Sequence, residues 1–160
     1  KGEAHMDWSI FIVFMAASCT AAATGSLFPP DGWYRGLNKP RWTPKDWMFP
    51  VTWVTLYILS SVAATLVAGR EGVGLALAFW AFQIAANTLW SPVFFGLKRI
   101  RAAMISLVVL WIAVFGTLVS FWLVLPIAGW MMVPYLAWVS VAGALNWSIL
   151  RRNPDAVATV

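Results

Sequence analysis

The chain has 160 residues, of which 61% are hydrophobic and only 11% charged, with a formal net charge of +5. Soluble domains run nearer half apolar and a quarter charged, so this composition excludes an ordinary soluble globular domain. The basic residues flank apolar runs, which excludes a nucleic-acid surface and points to membrane phospholipid instead.

Residues 1–5 read as a cloning or tag remnant ahead of a start at Met6, and they contain the only histidine, His5. Without it the chain has no imidazole for acid–base work, zinc binding or axial haem ligation, and no metal site is expected. The single cysteine, Cys19, belongs to no CxxC pattern and reads as a small buried residue in an apolar run.

Uncharged stretches occupy residues 8–30, 47–69, 72–97 and 102–150. A helix needs about 20 apolar residues to cross a bilayer, so the first three stretches hold one helix each. The fourth divides at Leu125-Pro126-Ile127-Ala128-Gly129, a Pro/Gly break suited to a tight connection. The expectation is an all-α membrane protein, a bundle of five transmembrane helices at about 8–28, 47–68, 74–97, 102–123 and 130–150. These form one transmembrane domain over residues 6–150, with a loop at 29–46 and a tail at 151–160.

With five spans the termini lie on opposite sides. One side collects Arg35, Lys39, Arg41, Lys45, Lys98, Arg99, Arg101, Arg151 and Arg152; the other has Arg70 and the Lys1 of the presumed tag. The positive-inside rule puts the N-terminus outside and the C-terminus in the cytoplasm. No charge lies inside a span, where one would cost about 2.5–3.5 kcal/mol and would normally serve ion or proton transport. The bundle should therefore handle something apolar or aromatic.

The loop at 29–46 is stiffened by Pro29, Pro30, Pro40 and Pro44, and it carries Trp33, Tyr34 and Trp42. It reads as an ordered lid over the cytoplasmic mouth, the alternative being a segment resting among lipid headgroups. On the third span, Gly74, Ala78, Ala81 and Ala85 recur at i, i+4, i+7 and i+11, a stripe of small residues for close helix packing. Packing inside one protomer and dimerisation both suit it. Gln83, Asn87, Trp90 and Phe94 fall on the opposite face, which should point into the bundle.

The fifth span places Tyr135, Trp138, Ala142 and Asn146 on one face, and the second places Trp53, Tyr57, Ser60 and Ala64 in the same register. Together these stripes form either packed core or a flat-walled cavity for a planar ligand. Trp8, Trp47, Trp130 and Trp147 lie at span ends and read as interface anchors; Trp33, Trp80, Trp111 and Trp122 have no assigned role.

Trp33-Tyr34, Leu37, Lys39-Pro40, Trp42, Pro44, Trp47, Pro50, Trp53 and Leu56-Tyr57 form a run that strongly resembles the translocator protein / tryptophan-rich sensory protein (TspO) family, also known as the peripheral benzodiazepine receptor. Gln83, Asn87, Trp90, Phe94-Phe95-Gly96, Pro134-Tyr135-Leu136-Ala137-Trp138 and Leu145-Asn146 extend the resemblance over the whole chain after Met6. It implies a five-helix bundle, commonly dimeric, that binds porphyrins and haem-related tetrapyrroles, sterols, and synthetic isoquinoline and benzodiazepine ligands. Carried over by motif, Tyr34, Trp42, Trp53, Tyr57, Asn87, Trp90, Phe94, Trp138 and Ala142 are the expected ligand-binding positions. Ala142 matches a site at which an Ala-to-Thr variant in the family alters ligand binding.

Two departures stand out. The family's Trp-x-Pro-Pro reads Trp42-Thr43-Pro44-Lys45 here, which predicts a less rigid lid with an additional charge. The sterol-recognition pattern requires Tyr before a basic residue, and Trp147 stands there before Arg151.

The resemblance implies a membrane protein that binds tetrapyrroles, with protoporphyrin IX or haem as ligand and not as an obligatory cofactor, and that acts in their regulation or transport. An alternative is light-dependent porphyrin degradation, with Trp53 and Trp138 as the radical-capable residues; another is sterol binding or translocation. No acid–base or nucleophile constellation supports conventional enzyme chemistry. The partners expected are the bilayer, the small molecule and a second copy of the chain, in a bacterial inner or outer membrane.

Overall fold

The computed structural model describes residues 6–158; residues 1–5, where the tag remnant is expected, and the last two residues of the tail lie outside the described residues. Among the described residues the regular structure is helical: α1 (Trp8–Leu27), α2 (Gly32–Gly36), α3 (Met48–Ala68), α4 (Gly74–Ser91), α5 (Ile100–Val124), α6 (Pro126–Arg152) and α7 (Pro154–Ala158). A π-helical turn, Pro92–Gly96, continues α4.

Local chemistry sets the boundaries. The Asp7 carboxylate caps α1 by accepting the Ser9 and Ile10 amides at 3.0 and 3.2 Å. Pro50 sits in the first turn of α3, where a missing N–H costs nothing. Pro92 cannot donate back to Thr88, and the helix widens there: the Leu97 amide reaches the Pro92 carbonyl five residues earlier, at 2.8 Å. The break in the long apolar run falls at Leu125, extended at φ −151°, with Pro126 opening α6. The connection is tighter than the sequence suggests, because α5 runs to Val124 and α6 begins two residues later. Gly129 permits this: a Cβ there would lie 2.8 Å from the Trp122 Cα.

The five long helices close into a ring: α1 packs on α3 and α4, α4 on α5, α5 on α6, and α6 back on α3. Lipid provides no hydrophobic force between helices, so polar stitches matter. Ser18 bonds Ser61 at 3.2 Å, joining α1 to α3. The Trp80 indole donates to Ser60 Oγ at 2.7 Å, joining α4 to α3. The Trp111 indole donates to Ser140 Oγ at 2.9 Å, and Asn146 Nδ2 donates to the Ile100 carbonyl at 3.2 Å; both join α5 to α6.

α1, α3, α5 and α6 are long and apolar enough to cross a membrane by length and composition. α4 has 18 residues and carries Gln83 and Asn87, both buried, on its inner face. Its small stripe does not pack inside the protomer: Gly74, Ala78, Ala81 and Ala85 are all exposed. Cys19 is likewise exposed on α1, correcting its expected burial, because only Ser18 and Ala21 of that helix are buried.

Candidate ligand-binding cavity

The segment from Pro29 to Asp46 caps one end of the ring. Asp31 starts the short helix α2 by accepting the Tyr34 amide at 3.0 Å and reaches Lys98 at 3.3 Å. That amide contact, helped by Lys98, holds the Asp31 carboxyl below its ordinary 3.8. Lys39 Nζ closes the other end of α2, donating to the carbonyls of Tyr34, Arg35 and Leu37 at 2.7, 3.2 and 3.2 Å. Lys45 stands where the family pattern has its second proline, and two residues earlier Thr43 donates its hydroxyl to the Pro40 carbonyl at 2.6 Å. A hydrogen-bonded turn thus supplies rigidity that the missing proline does not.

The π turn aims two rings upward at this cap. Tyr34 meets Phe94 and Phe95 edge-on, with centroids 6.1 and 5.4 Å apart, and Trp33 meets Phe94 at 5.8 Å. Burial pushes the Tyr34 phenol above its ordinary 10, and the Asp46 carboxylate adds to that.

Beneath the cap lies a cavity of about 480 Å³, within the range of small-molecule sites. Tyr34 roofs it, and Trp53, Tyr57, Asn87 and Trp90 form its aromatic and amide wall, so five of the nine expected ligand-binding residues come together. Trp53 stacks on Tyr57 at 5.6 Å and 24°. Asn87 Nδ2 donates to Tyr57 Oη at 3.1 Å and to Tyr135 Oη at 2.7 Å, locking three helices around the cavity floor. The Trp90 indole N–H is buried without a protein partner.

The other four expected residues lie elsewhere. Phe94 and Ala142 line a smaller hollow of about 20 Å³, together with Asn146. Trp138 stands behind the wall, edge-on to Trp53 at 6.5 Å and to Phe49 at 5.7 Å, with its indole N–H also unpartnered. Trp42 lines neither space; it is 51% exposed on the lid's outer side.

The third wall is α1 and not the fifth span. Ala21, Ala22, Gly25, Ser26 and Phe28 line the cavity, while Tyr135, Trp138 and Ala142 of α6 do not. The signal was the run Ala21-Ala22-Ala23-Thr24-Gly25-Ser26, whose small side chains fill little of the space where the helices stand apart. Phe49, Pro50, Arg35 and Asp46 complete a mouth with one cation and one anion.

The unassigned tryptophans are structural here. Trp80 is buried on Ser60, Trp111 ties α5 to α6, Trp122 packs on Gly129 and Trp130, and Trp33 lies beneath Lys98. Trp8, Trp47, Trp130 and Trp147 are exposed near helix ends, as anchors would be.

A model of the TspO/MBR family matches residues 9–152. The chain belongs to that family. It is 52% identical over 153 residues to Protein CrtK of Rhodobacter capsulatus, covering 93% of this chain and 96% of that protein. It is 48% identical over 157 residues to the tryptophan-rich sensory protein of Cereibacter sphaeroides, covering 96% and 99%. It is also 33% identical over 126 residues to the human translocator protein, covering 76% and 75%. Membership and the apolar helices make this an integral membrane protein.

Proposed function

We propose that this TspO/MBR family protein binds a flat hydrophobic ligand of the porphyrin or haem-related tetrapyrrole class and acts in its regulation or transport. The observation that carries this is the cavity of about 480 Å³, with its stacked Trp53–Tyr57 pair and the Asn87 amide. Apolar aromatic walls take a planar ring system, and a few polar groups orient it. Names such as tryptophan-rich sensory protein and translocator protein among the relatives fit a sensing or carrying role.

α4 is read as the fifth span, with its amides turned inward. Asp31–Lys98 and the contact between Asn38 and Asn153 put the lid, the α4–α5 turn and the end of α6 at one end of the bundle. The basic residues gather there, which supports a cytoplasmic lid and C-terminus and an external N-terminus in a bacterial membrane. The outward stripe Gly74, Ala78, Ala81 and Ala85 supports a homodimer through α4.

The test is tryptophan quenching by protoporphyrin IX in detergent. Saturable quenching above that of empty micelles is expected, weakened severalfold by Trp53→Leu and little changed by Trp42→Ala. Quenching no stronger than in micelles, or indifferent to Trp53, would refute the reading.

A second reading is light-dependent porphyrin breakdown. It is favoured by the contiguous rings of Trp138, Trp53, Tyr57 and Tyr135, with Trp53 at 6.5, 5.6 and 5.9 Å from the other three. Illumination should then give a discrete new absorbing product; nonspecific bleaching alone counts against it. Sterol binding has thinner support, since Leu145 and Ile149 turn inward and leave Trp147 under Arg151 on the outer face.

A further inference from the structure

The lid is held down by a residue 115 positions away in the sequence. Asn153 follows α6 and leaves helical geometry at φ −130°, ψ 60°. Its Oδ1 accepts the Asn38 amide at 2.8 Å, and its Nδ2 donates to the Asn38 carbonyl at 3.0 Å. The same Nδ2 donates to the Ile149 carbonyl at 2.8 Å, closing the end of α6. One primary amide therefore takes both main-chain groups of Asn38, as a neighbouring strand would.

The chemistry demands asparagine. Aspartate offers no donor, serine and threonine cannot face both groups, and glutamine is one methylene too long for the gap. Asn153 is only 8% exposed, so water competes poorly for these bonds. A second polar tie, Asp31–Lys98, has both side chains more than 40% exposed, and an ion pair in that setting contributes little. Asn38 stands four residues after Tyr34, the cavity's roof, and one after Leu37, which is buried in the same apolar cluster.

We infer that Asn153 is the latch of the lid: it positions residues 34–42 over the cavity, and its release opens the mouth. The purpose rests on the ligand reading above, but the latch itself is testable without ligand. Hydrogen exchange would be compared between wild type, Asn153→Ala and Asn153→Asp in nanodiscs, free of ligand. Losing two net hydrogen bonds should raise exchange across residues 33–42 about tenfold or more, leaving α3 and α4 unchanged. Asn153→Asp should protect no better, since its carboxylate faces the Asn38 and Ile149 carbonyls. Stopped-flow quenching by protoporphyrin IX should show both association and dissociation accelerated severalfold, with Kd moving less than either rate.

Unchanged exchange at 33–42 overturns the latch. Increased exchange throughout α3 and α4 also overturns it, because Asn153 would then merely stabilise the bundle. Local exchange that rises while porphyrin rates stay at wild-type values overturns the opening role. Local exchange that rises in a protein never quenched by porphyrin keeps the latch and refutes the proposed ligand instead.

Discussion

Asn87 is 4% exposed, and its Nδ2 serves Tyr57 at 3.1 Å and Tyr135 at 2.7 Å from the last turns of α4. Asn87→Leu removes both bonds while keeping a branched side chain of four heavy atoms, so it leaves no hole. Transfer to hydrocarbon would suggest a cost of several kcal/mol. The bilayer lowers it, because separated helices find other partners: measured interhelical bonds average about 0.6 kcal/mol and reach about 1.7. With one short bond and one long one, the variant should lose about 1–2 kcal/mol, most of it on the Tyr135 side. A double-mutant cycle separates the two. Asn87→Leu with Tyr135→Phe should couple by about 1 kcal/mol, and with Tyr57→Phe by about half that. Reversible unfolding in mixed SDS micelles, followed by tryptophan fluorescence, gives both values. Zero coupling in both cycles, or stronger coupling to Tyr57, would refute this account of the cavity floor.

Gly129→Ala should destabilise by about 1–3 kcal/mol, because its Cβ meets the Trp122 backbone, which cannot yield. Gly143→Ala, whose Cβ meets nothing within 4 Å, should be neutral or stabilising by up to about 1 kcal/mol in the same unfolding assay. Asp31 is held below 3.8 in the folded lid, so its contribution is present above that value and is lost as pH falls beneath it. Exchange at residues 31–36 should therefore rise below pH 3.8 in wild type and be already raised at pH 6 in Asp31→Ala. Ala81→Trp, placed on the exposed stripe, should convert a dimer to monomer in light scattering without loss of helicity; an unchanged mass would place the dimer contact elsewhere.

Much of this architecture was legible because membrane burial writes itself as uncharged length. The five long helices, the break near Pro126 and the inward amides Gln83 and Asn87 follow from hydropathy and a 3.6-residue period. Periodicity gives a face, however, and not a neighbour. Tyr135, Trp138 and Ala142 share the expected face of α6, yet the ring order sets α1 against the cavity and leaves Trp138 one layer behind Trp53. Trp42 was carried over by motif, and only the fold of the Pro40–Thr43 turn decides that it points away. The π turn at Pro92 was equally hidden, since a proline at a span's end ordinarily marks a stop. The Asn38–Asn153 contact joins residues too distant for any local pattern.

The position of the cavity follows from how the ring is stitched. α5 and α6 share two side-chain hydrogen bonds, and Asn87 joins α4 to both α3 and α6. α1 has the Ser18–Ser61 bond on one side and the edge-on contact of Phe14 with Trp80, at 4.7 Å, on the other. Phe14 lies in the half away from the lid, and Ser18 lies just past the midpoint of α1. Toward the lid its inner face is Ala21, Ala22 and Gly25, and a Cβ at Gly25 would find only Ser91 Oγ, at 3.9 Å. Small side chains let helices close up only where something draws them together, and here they line the open place in the ring. That place is the seam between the second half of α1 and the first half of α3, directly under the lid. The tryptophans on the far side can then stay rigid, because the volume is supplied by the alanines and glycine of α1 and not by any movement of the aromatic wall.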